Sequence, residues 1–192
     1  MTEKFFIGAQ QLLDDSFKLG IDIYRSGFRP NFIVGIWRGG TPVGIAVQEV
    51  LDYYGVKTDH IAIRTSAYVG IKKMKKKIRV HGLHYIVEHI NAEDRLLIVD
   101  DVFDTGLSIE AVIRTLKKKA RKNTPEDIRT ATVYYKPKKK KVDFNPDYFI
   151  NETNKWLIFP HELDGLSKEE IINHKPGMDR IIKEEIIAKD RR

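Results

Sequence analysis

A short, unbroken run of apolar residues that ends in a cluster of acids constrains this chain more than any other feature. Residues 96–99 (Leu-Leu-Ile-Val) lead directly into Asp100 and Asp101, and Asp104 follows three residues later. Such a run is typical of a strand buried in a parallel sheet. In open parallel sheets, ligands bind beyond the carboxyl ends of the strands. The three acids are therefore predicted to lie where an α/β protein binds its ligand.

The residues that follow predict a phosphate-binding helix N-terminus. Thr105 and Ser108 are good capping residues, and Gly106 permits a turn conformation that other residues resist. The amides of residues 104–108 would point outward at the start of a helix that runs to about residue 121. Free amides and the positive end of a helix dipole favour a bound phosphate.

The paired acids predict a different ligand group, because Asp100 and Asp101 would repel a phosphate. Adjacent carboxylates suit a diol, a Mg²⁺ ion or both. Phosphate, diol and metal together describe a phosphorylated ribose. Residues 96–108 resemble the phosphoribosyl-pyrophosphate (PRPP) binding motif of the type I phosphoribosyltransferases: four apolar residues, two acids, two residues, then Asp-Thr-Gly-x-Ser/Thr.

The resemblance implies a role for each residue of this motif. Asp100 and Asp101 would bind the ribose hydroxyls of PRPP and the Mg²⁺ cofactor. Asp104 would be the catalytic base that takes a proton from the nucleobase. The residues implied to bind the 5-phosphate are Asp104, Thr105, Gly106, Leu107 and Ser108.

A second strand-to-helix junction supports the first. An apolar run at 32–36 ends in Trp37-Arg38-Gly39-Gly40, and a helical pattern follows from about residue 43. An arginine and two glycines allow the backbone to approach an anion closely. In the family the corresponding loop holds pyrophosphate, which the resemblance assigns to Arg38, Gly39 and Gly40.

Alternating patterns predict an α/β fold with a central, mostly parallel sheet and helices on both faces. The resemblance implies the type I phosphoribosyltransferase fold, with a small hood from the chain ends over the active site, as one domain over residues 1–192. Strands are predicted near 31–36, 59–64, 95–100, 128–135 and 148–150, and helices over about 9–26, 42–54, 107–121 and from 167 onward.

The segment between the second and third predicted strands, residues 65–91, is polar, lysine-rich and poorly periodic. Its length predicts a mobile active-site loop. Ser66 and Tyr68 resemble a serine-tyrosine pair that several family members carry at the start of such a loop, which closes over the substrates.

Residues 136–166 resemble the base-recognition elements of the 6-oxopurine branch, whose members use hypoxanthine, guanine or xanthine. The resemblance implies that Lys136 donates a hydrogen bond to O6 of the base. Trp156 would stack on the purine ring. The backbone of Leu157 and the carboxylate of Glu162 would face the 2-position.

These resemblances predict a purine salvage enzyme that transfers the phosphoribosyl group of PRPP to N9 of a 6-oxopurine, giving a nucleoside monophosphate and pyrophosphate. Which purine is preferred stays open, with hypoxanthine marginally favoured. One alternative is a phosphoribosyltransferase for another base. A second is a PRPP-sensing regulator that binds nucleic acid. PRPP synthesis would require two related domains, for which the chain is too short.

The net charge of +7 is concentrated in two blocks, residues 72–79 and 136–141. They are either solvated loop charge or an attractant for a polyanionic substrate such as PRPP. No aromatic residues interleave them for base stacking, so nucleic acid is not an expected partner. The chain has no cysteine, and it shows no signal peptide or membrane-spanning stretch. We expect a cytoplasmic protein, and the resemblance implies a homodimer or homotetramer.

Overall fold

The structure is a computed structural model that describes residues 4–69, 76–178 and 180–181. The lysines predicted to form part of the first basic block, Lys72, Lys73 and Lys75, lie outside the described residues. Residues 182–192 of the predicted C-terminal helix also lie outside them.

The described elements match most of the predicted ones, with short additional strands near both ends of the chain. In chain order they are β1 (Lys4–Phe6), α1 (Ala9–Arg25), β2 (Phe32–Trp37), α2 (Gly40–Tyr53), β3 (Asp59–Val69), β4 (Lys76–His81), α3 (His84–His89), β5 (Arg95–Phe103), α4 (Leu107–Ala120), β6 (Asp127–Tyr135), β7 (Tyr148–Glu152), β8 (Trp156–Ile158) and α5 (Lys168–His174).

The central sheet is mostly parallel, as predicted. Within the described residues its six strands follow the order β4-β3-β2-β5-β6-β7. Neighbouring strands run parallel except for β3 and β4, which pair antiparallel. Strands β2 and β5 are adjacent although four elements (α2, β3, β4 and α3) separate them in the chain, and Val34 pairs with Ile98. Their carboxyl ends therefore meet at one edge of the sheet.

Alternate residues of these central strands face opposite sides of the sheet. Val34 and Ile98 belong to a buried cluster that includes Ile86 of α3 and Val112 of α4. Their neighbours, among them Ile33 and Leu97, are also fully buried, and α2 contacts β2 and β5. Helices therefore cover both faces, which confirms the α/β architecture and explains why the strands read as continuous apolar runs.

The described residues group into two compact units. One is formed by Leu13–Asn154 and holds the six-stranded sheet. The other joins the chain up to Leu12 with the chain from Lys155 onward, and in it β1 pairs in parallel with β8. The single phosphoribosyltransferase domain over residues 1–192 stays a prediction.

The segment predicted as a mobile active-site loop, residues 65–91, contains regular secondary structure where the structure describes it, and its mobility stays a prediction. Strand β3 continues to Val69, and β4 returns antiparallel from Lys76 to His81. The short helix α3 follows. In β4 the apolar residues Ile78 and Val80 alternate with charged ones and are partly buried. The lysines and the arginine of the strand make this apolar–polar alternation hard to recognise in the sequence.

The predicted helix from residue 167 onward is also interrupted. Helix α5 ends at His174. A turn at residues 175–177 follows, and residues 178, 180 and 181 are again helical.

Candidate active site

The acidic segment lies at the end of β5, a strand whose first apolar residues are buried on both faces of the sheet. Residues 96–99 have no exposed surface. The strand continues through Asp100 and Asp101 to Phe103, so the prediction that it ends at the first acid was wrong. Pairing with β6, which reaches Tyr135, extends it by three residues. Both acids are thus held by a strand rather than by a free loop.

Gly106 shapes the turn between β5 and α4. Its φ of 77° lies in the left-handed region, which favours glycine. An added Cβ would stand 2.5 Å from Val142 Cγ2 and 2.7 Å from the Phe103 ring. Gly106 is also the N-cap of α4 and has no side chain with which to cap the helix. Of the two residues expected to cap it, Thr105 accepts a hydrogen bond from the first helical amide, whereas Ser108 lies inside the helix.

The first amides of a helix have no partner within the helix and are available to a ligand. The Leu107 amide makes one long hydrogen bond to Thr105 Oγ1, at 3.4 Å. A cavity of about 200 Å³ opens here, lined by residues 100–106, Ser108 and Ile109. The structure thus brings four of the five predicted 5-phosphate residues, all but Leu107, together around one cavity. The cavity lies next to the positive end of a fourteen-residue helix.

The two acids at this cavity are adjacent in the chain and partly buried. The Asp101 amide donates to Asp100 Oδ1 at 3.0 Å. Burial, together with the adjacent Asp101 carboxylate, raises the pKa of Asp100 well above its usual value. A bound cation or diol would offset the repulsion between the Asp100 and Asp101 carboxylates, because either one interacts favourably with their charged forms.

The acid pair fits a magnesium ion that is held jointly with a phosphorylated substrate. Within residues 4–69, 76–178 and 180–181, no group of three or more His, Asp or Glu side chains is placed to hold a metal. Mg²⁺ commonly binds one or two carboxylates and takes its remaining ligands from water and substrate phosphates. Asp100 and Asp101 are the residues that would hold it here.

The predicted pyrophosphate loop lies directly against the acid pair. A Cβ at Gly39 would overlap the Asp101 carboxylate, and one at Gly40 would lie 2.8 Å from Asp100 Cα. Both positions are buried, whereas Arg38 between β2 and α2 is exposed. The two strand ends can approach this closely only because neither position carries a side chain. The Trp37–Arg38 peptide bond is cis.

Lys136 lies beside Asp104, although thirty-two positions separate them in the chain. The residue is 5% exposed, and its Nζ donates to Asp104 Oδ2 at 3.5 Å. The Lys136 amide also donates to Phe103 O at 2.9 Å. The other Asp104 oxygen, Oδ1, is buried and has no hydrogen-bond partner among the described residues.

The second basic block runs next to the phosphate turn. The Lys141 amide donates to Thr105 O at 2.9 Å, and Val142 packs against Gly106. Lys138 and Lys141 are exposed. This contact places part of the chain's positive charge beside the cavity.

The two residues predicted for a flexible loop lie in β3. Ser66 Oγ is 3.2 Å from His81 Nε2 of β4. Tyr68 pairs with Lys77 in the backbone register, but its side chain lies outside what the structure describes.

The remaining predicted base-binding residues belong to the other compact unit. Trp156 is 52% exposed at the start of β8, and Leu157 is buried. Glu162 Oε2 accepts a hydrogen bond from the Phe159 amide at 2.9 Å. One oxygen of the carboxylate predicted to face the base is thus bound to the backbone of its own turn.

Sequence reasoning missed two buried polar residues. Thr132 is fully buried and pairs with Asp100 across β5 and β6. Its hydroxyl lacks a hydrogen-bond partner among the described residues, and the two threonines of this strand, Thr130 and Thr132, were an available signal. Lys175 is 6% exposed, and its Nζ donates to Phe159 O. Nothing in the local sequence distinguishes Lys175 from the exposed lysines.

In the described part of the chain, every helix is too short or too polar to cross a lipid bilayer.

Comparisons with known proteins place this geometry in a family. Residues 8–165 match the family model described as phosphoribosyl transferase domain. A purine phosphoribosyltransferase from Pyrococcus horikoshii is similar in structure, with 26% identity, a TM-score of 0.68, and coverage of 86% of this chain and 98% of that one.

Two more distant structures share the fold at 18% identity. The xanthine-guanine-hypoxanthine phosphoribosyltransferase of Helicobacter pylori has a TM-score of 0.62, with 90% of this chain and 100% of that chain covered. A hypothetical protein from Neisseria gonorrhoeae with bound ppGpp has a TM-score of 0.71, with 91% and 97% covered.

Proposed function

Because the chain belongs to the phosphoribosyl transferase domain family, we propose that it transfers the 5-phosphoribosyl group of PRPP to N9 of a 6-oxopurine. The products are the nucleoside monophosphate and pyrophosphate. The bases in question are hypoxanthine, guanine and xanthine. The similar proteins from Pyrococcus horikoshii and Helicobacter pylori, which are described as purine and xanthine-guanine-hypoxanthine enzymes, support this choice of substrate class.

One contact carries the proposal: the buried Lys136 ammonium beside the Asp104 carboxylate, at 3.5 Å. A 6-oxopurine carries an acceptor, O6, next to N7, which can bear a proton. A cation and a carboxylate held side by side match that edge, because the cation donates to O6 while the carboxylate accepts from N7. A pyrimidine lacks the imidazole ring and offers no N7.

The reaction assigns a separate task to each part of the site. The amides at the start of α4 bind the 5-phosphate, and Asp100 and Asp101 bind the ribose hydroxyls. N9 of the base forms a bond to the anomeric carbon as the bond from that carbon to pyrophosphate breaks. The electron pair leaves with pyrophosphate, which the Arg38-Gly39-Gly40 loop receives. Asp104 takes the N7 proton as a general base.

Positioning and electrostatics supply most of the catalysis in this scheme. Positive charge develops on the ribose ring as pyrophosphate departs, and the carboxylates beneath the ring stabilise it. When Mg²⁺ is bound at Asp100 and Asp101, it supplies charge neutralisation for the diphosphate. Both acids are partly buried, which strengthens these interactions because less water screens them.

Three further residues are assigned to base recognition in the proposal. Trp156, which is half exposed, stacks on the purine ring, an interaction of about 1–3 kcal/mol. The Leu157 backbone and the Glu162 side chain face the 2-position, where the three 6-oxopurines differ. Ser66 and Tyr68 contribute to a loop that closes over the substrates. Assembly as a homodimer or homotetramer and a cytoplasmic location remain predictions.

The test is product analysis with PRPP, Mg²⁺ and one free base at a time. We expect nucleotide formation with at least one of hypoxanthine, guanine and xanthine. Replacement of Lys136 by methionine should raise the KM for the base much more than the KM for PRPP. The matched control is Lys122→Met, at an exposed lysine that follows α4.

Two results would contradict the proposal. Activity on orotate or uracil alone would reject the 6-oxopurine assignment. An absence of nucleotide product, together with a PRPP-sensitive mobility shift of RNA or DNA, would favour a regulator of the same fold.

A further inference from the structure

A buried lysine from the C-terminal part of the chain is bonded to the turn that follows β8. Lys175 directly follows α5 and is 6% exposed. Its Nζ donates to the carbonyl oxygen of Phe159. Burial lowers the pKa of Lys175, and the nearby Glu162 carboxylate partly opposes this effect. A lysine is seldom buried without a specific partner, because removing its charge from water is costly.

The turn that receives Lys175 is closed by two further hydrogen bonds. The Phe159 amide donates to Glu162 Oε2 at 2.9 Å, and the Glu162 amide donates to Phe159 O at 3.0 Å. The Phe159 carbonyl therefore accepts from both Glu162 and Lys175. The lysine supplies a positive charge to the same turn that contains the Glu162 carboxylate.

Helix α5 holds Lys175 in place through contacts at both ends of the helix. Ser167 and Glu170 form a capping box, and Lys4 of β1 bonds Glu170 at 2.6 Å. At the other end, His174 stacks on Phe6 of β1 with ring centroids 4.0 Å apart. Because β1 pairs with β8, these contacts link the lysine, the helix and the turn in one frame.

We propose that Lys175 is a positioning residue for base recognition. This inference rests on the proposed function, which places Leu157 and Glu162 at the 2-position of the purine. By binding the Phe159 carbonyl between them, Lys175 fixes the path of the backbone from Leu157 to Glu162. Its removal releases that carbonyl and leaves the Glu162 carboxylate without its neighbouring cation. Lys175 thereby sets both the affinity for the base and the choice among bases that differ at the 2-position.

The experiment is steady-state kinetics on the full chain carrying Lys175→Met, which keeps the apolar stem and removes the donor. We expect the KM for hypoxanthine or guanine to rise by between about ten- and a hundredfold, the scale expected when binding groups shift by about 1 Å. The ratio of kcat/KM for the two bases should also change, whereas the KM for PRPP should stay near its original value. Lys168→Met, at an exposed lysine of the same helix, is the matched control and should behave as the unaltered protein.

A second variant guards against a folding defect. Lys175→Arg retains a charged donor with a different shape, and it should partly restore the KM for the base. PRPP binding by calorimetry reports separately whether each variant is folded. If Lys175→Met does not fold, Lys175→Gln, which lacks the charge and the full length of lysine, takes its place, and an unchanged base KM and base preference in that variant overturns the inference.

The failure of this inference is distinguishable from failure of the proposed function. If the unaltered protein forms no nucleotide from any 6-oxopurine, the proposed function fails. If it is active and Lys175→Met keeps the original base KM and preference, or weakens PRPP and base equally, the function stands and the positioning role is wrong.

Discussion

At the residue scale, the two oxygens of Asp104 have contrasting surroundings. Oδ2 lies 3.5 Å from the Lys136 ammonium, whereas Oδ1 is buried and has no hydrogen-bond partner among the described residues. A buried carboxylate oxygen without a donor costs free energy, of the order of 1–3 kcal/mol. Under the proposed function, the N7–H group of the base supplies that missing donor, so substrate binding removes the cost.

The first prediction concerns Asp104→Asn. The amide cannot accept the N7 proton as a base, so kcat should fall by about 10²- to 10⁴-fold. PRPP affinity should change little, because the backbone amides of the turn remain in place. Steady-state kinetics and calorimetry with PRPP measure the two quantities, with Asp143→Asn at an exposed position as the control. Equal losses of turnover and PRPP affinity would refute the catalytic assignment.

Sequence reasoning at this scale succeeded where the site is contiguous in the chain. Asp100, Asp101 and Gly106 lie within seven residues, and the structure places all three at one cavity. Reasoning failed where burial depends on distant elements. The burial of Lys175 results from the packing of α5 against the β1–β8 pair, which no local pattern encodes. The contact between Lys136 and Asp104 likewise requires the pairing of β5 with β6.

At the element scale, the site results from two parallel strand ends and the two helices that follow them. Strands β2 and β5 are neighbours, so the turns that lead into α2 and α4 are adjacent. The glycine loop and the acidic turn touch each other, since a Cβ at Gly39 would overlap the Asp101 carboxylate. One packing contact therefore fixes the relative positions of the groups proposed to bind pyrophosphate and ribose.

The second prediction follows from that contact. Gly39→Ala should force the loop or the Asp101 carboxylate to move. It should lower kcat/KM by about a hundredfold, which is the loss that a misplacement of about 1 Å can cause in an enzyme active site. Thermal unfolding should show whether the fold survives. Gly8→Ala is the matched control, because a Cβ at Gly8 meets no atom within 4 Å. Unaltered kinetics in Gly39→Ala would show that the close approach is dispensable.

The elements themselves were predictable to different degrees. Strands β2, β5 and β6 and helices α1, α2 and α4 have strong apolar runs or periodicity, because each is buried against a large core. Strand β4 was missed since charged residues alternate with its two partly buried apolar ones. Strands β1 and β8 have only three residues each, too few for a periodic signal, and they are stabilised by pairing with each other.

At the scale of the whole molecule, part of the net charge of +7 lies in a lysine segment next to the phosphate turn. The lysine segment at 138–141, in which all but Lys140 are exposed, is bonded to the phosphate turn through the Lys141 amide and Thr105 O. Charge placed beside a cavity raises the local concentration of an oppositely charged ligand and speeds its association. The position of the segment favours an electrostatic contribution to PRPP binding over simple solvation.

The third prediction tests that contribution. The double variant Lys138→Gln/Lys141→Gln should raise the KM for PRPP by roughly two- to fivefold at low ionic strength, and the effect should vanish at high salt, where exposed charges are screened. The turnover number should not change. Lys117→Gln/Lys118→Gln, near the opposite end of α4, is the charge-matched control. An identical salt dependence in both double variants would mean that only total charge matters.

The absence of a side chain at Gly39 has a consequence for protein engineering. A designer who transplants the acidic turn into another α/β scaffold must bring the preceding strand's glycine loop with it, because the two surfaces interlock without room for a single methyl group. Grafting either piece alone should yield a well-folded chimera that has no ligand affinity.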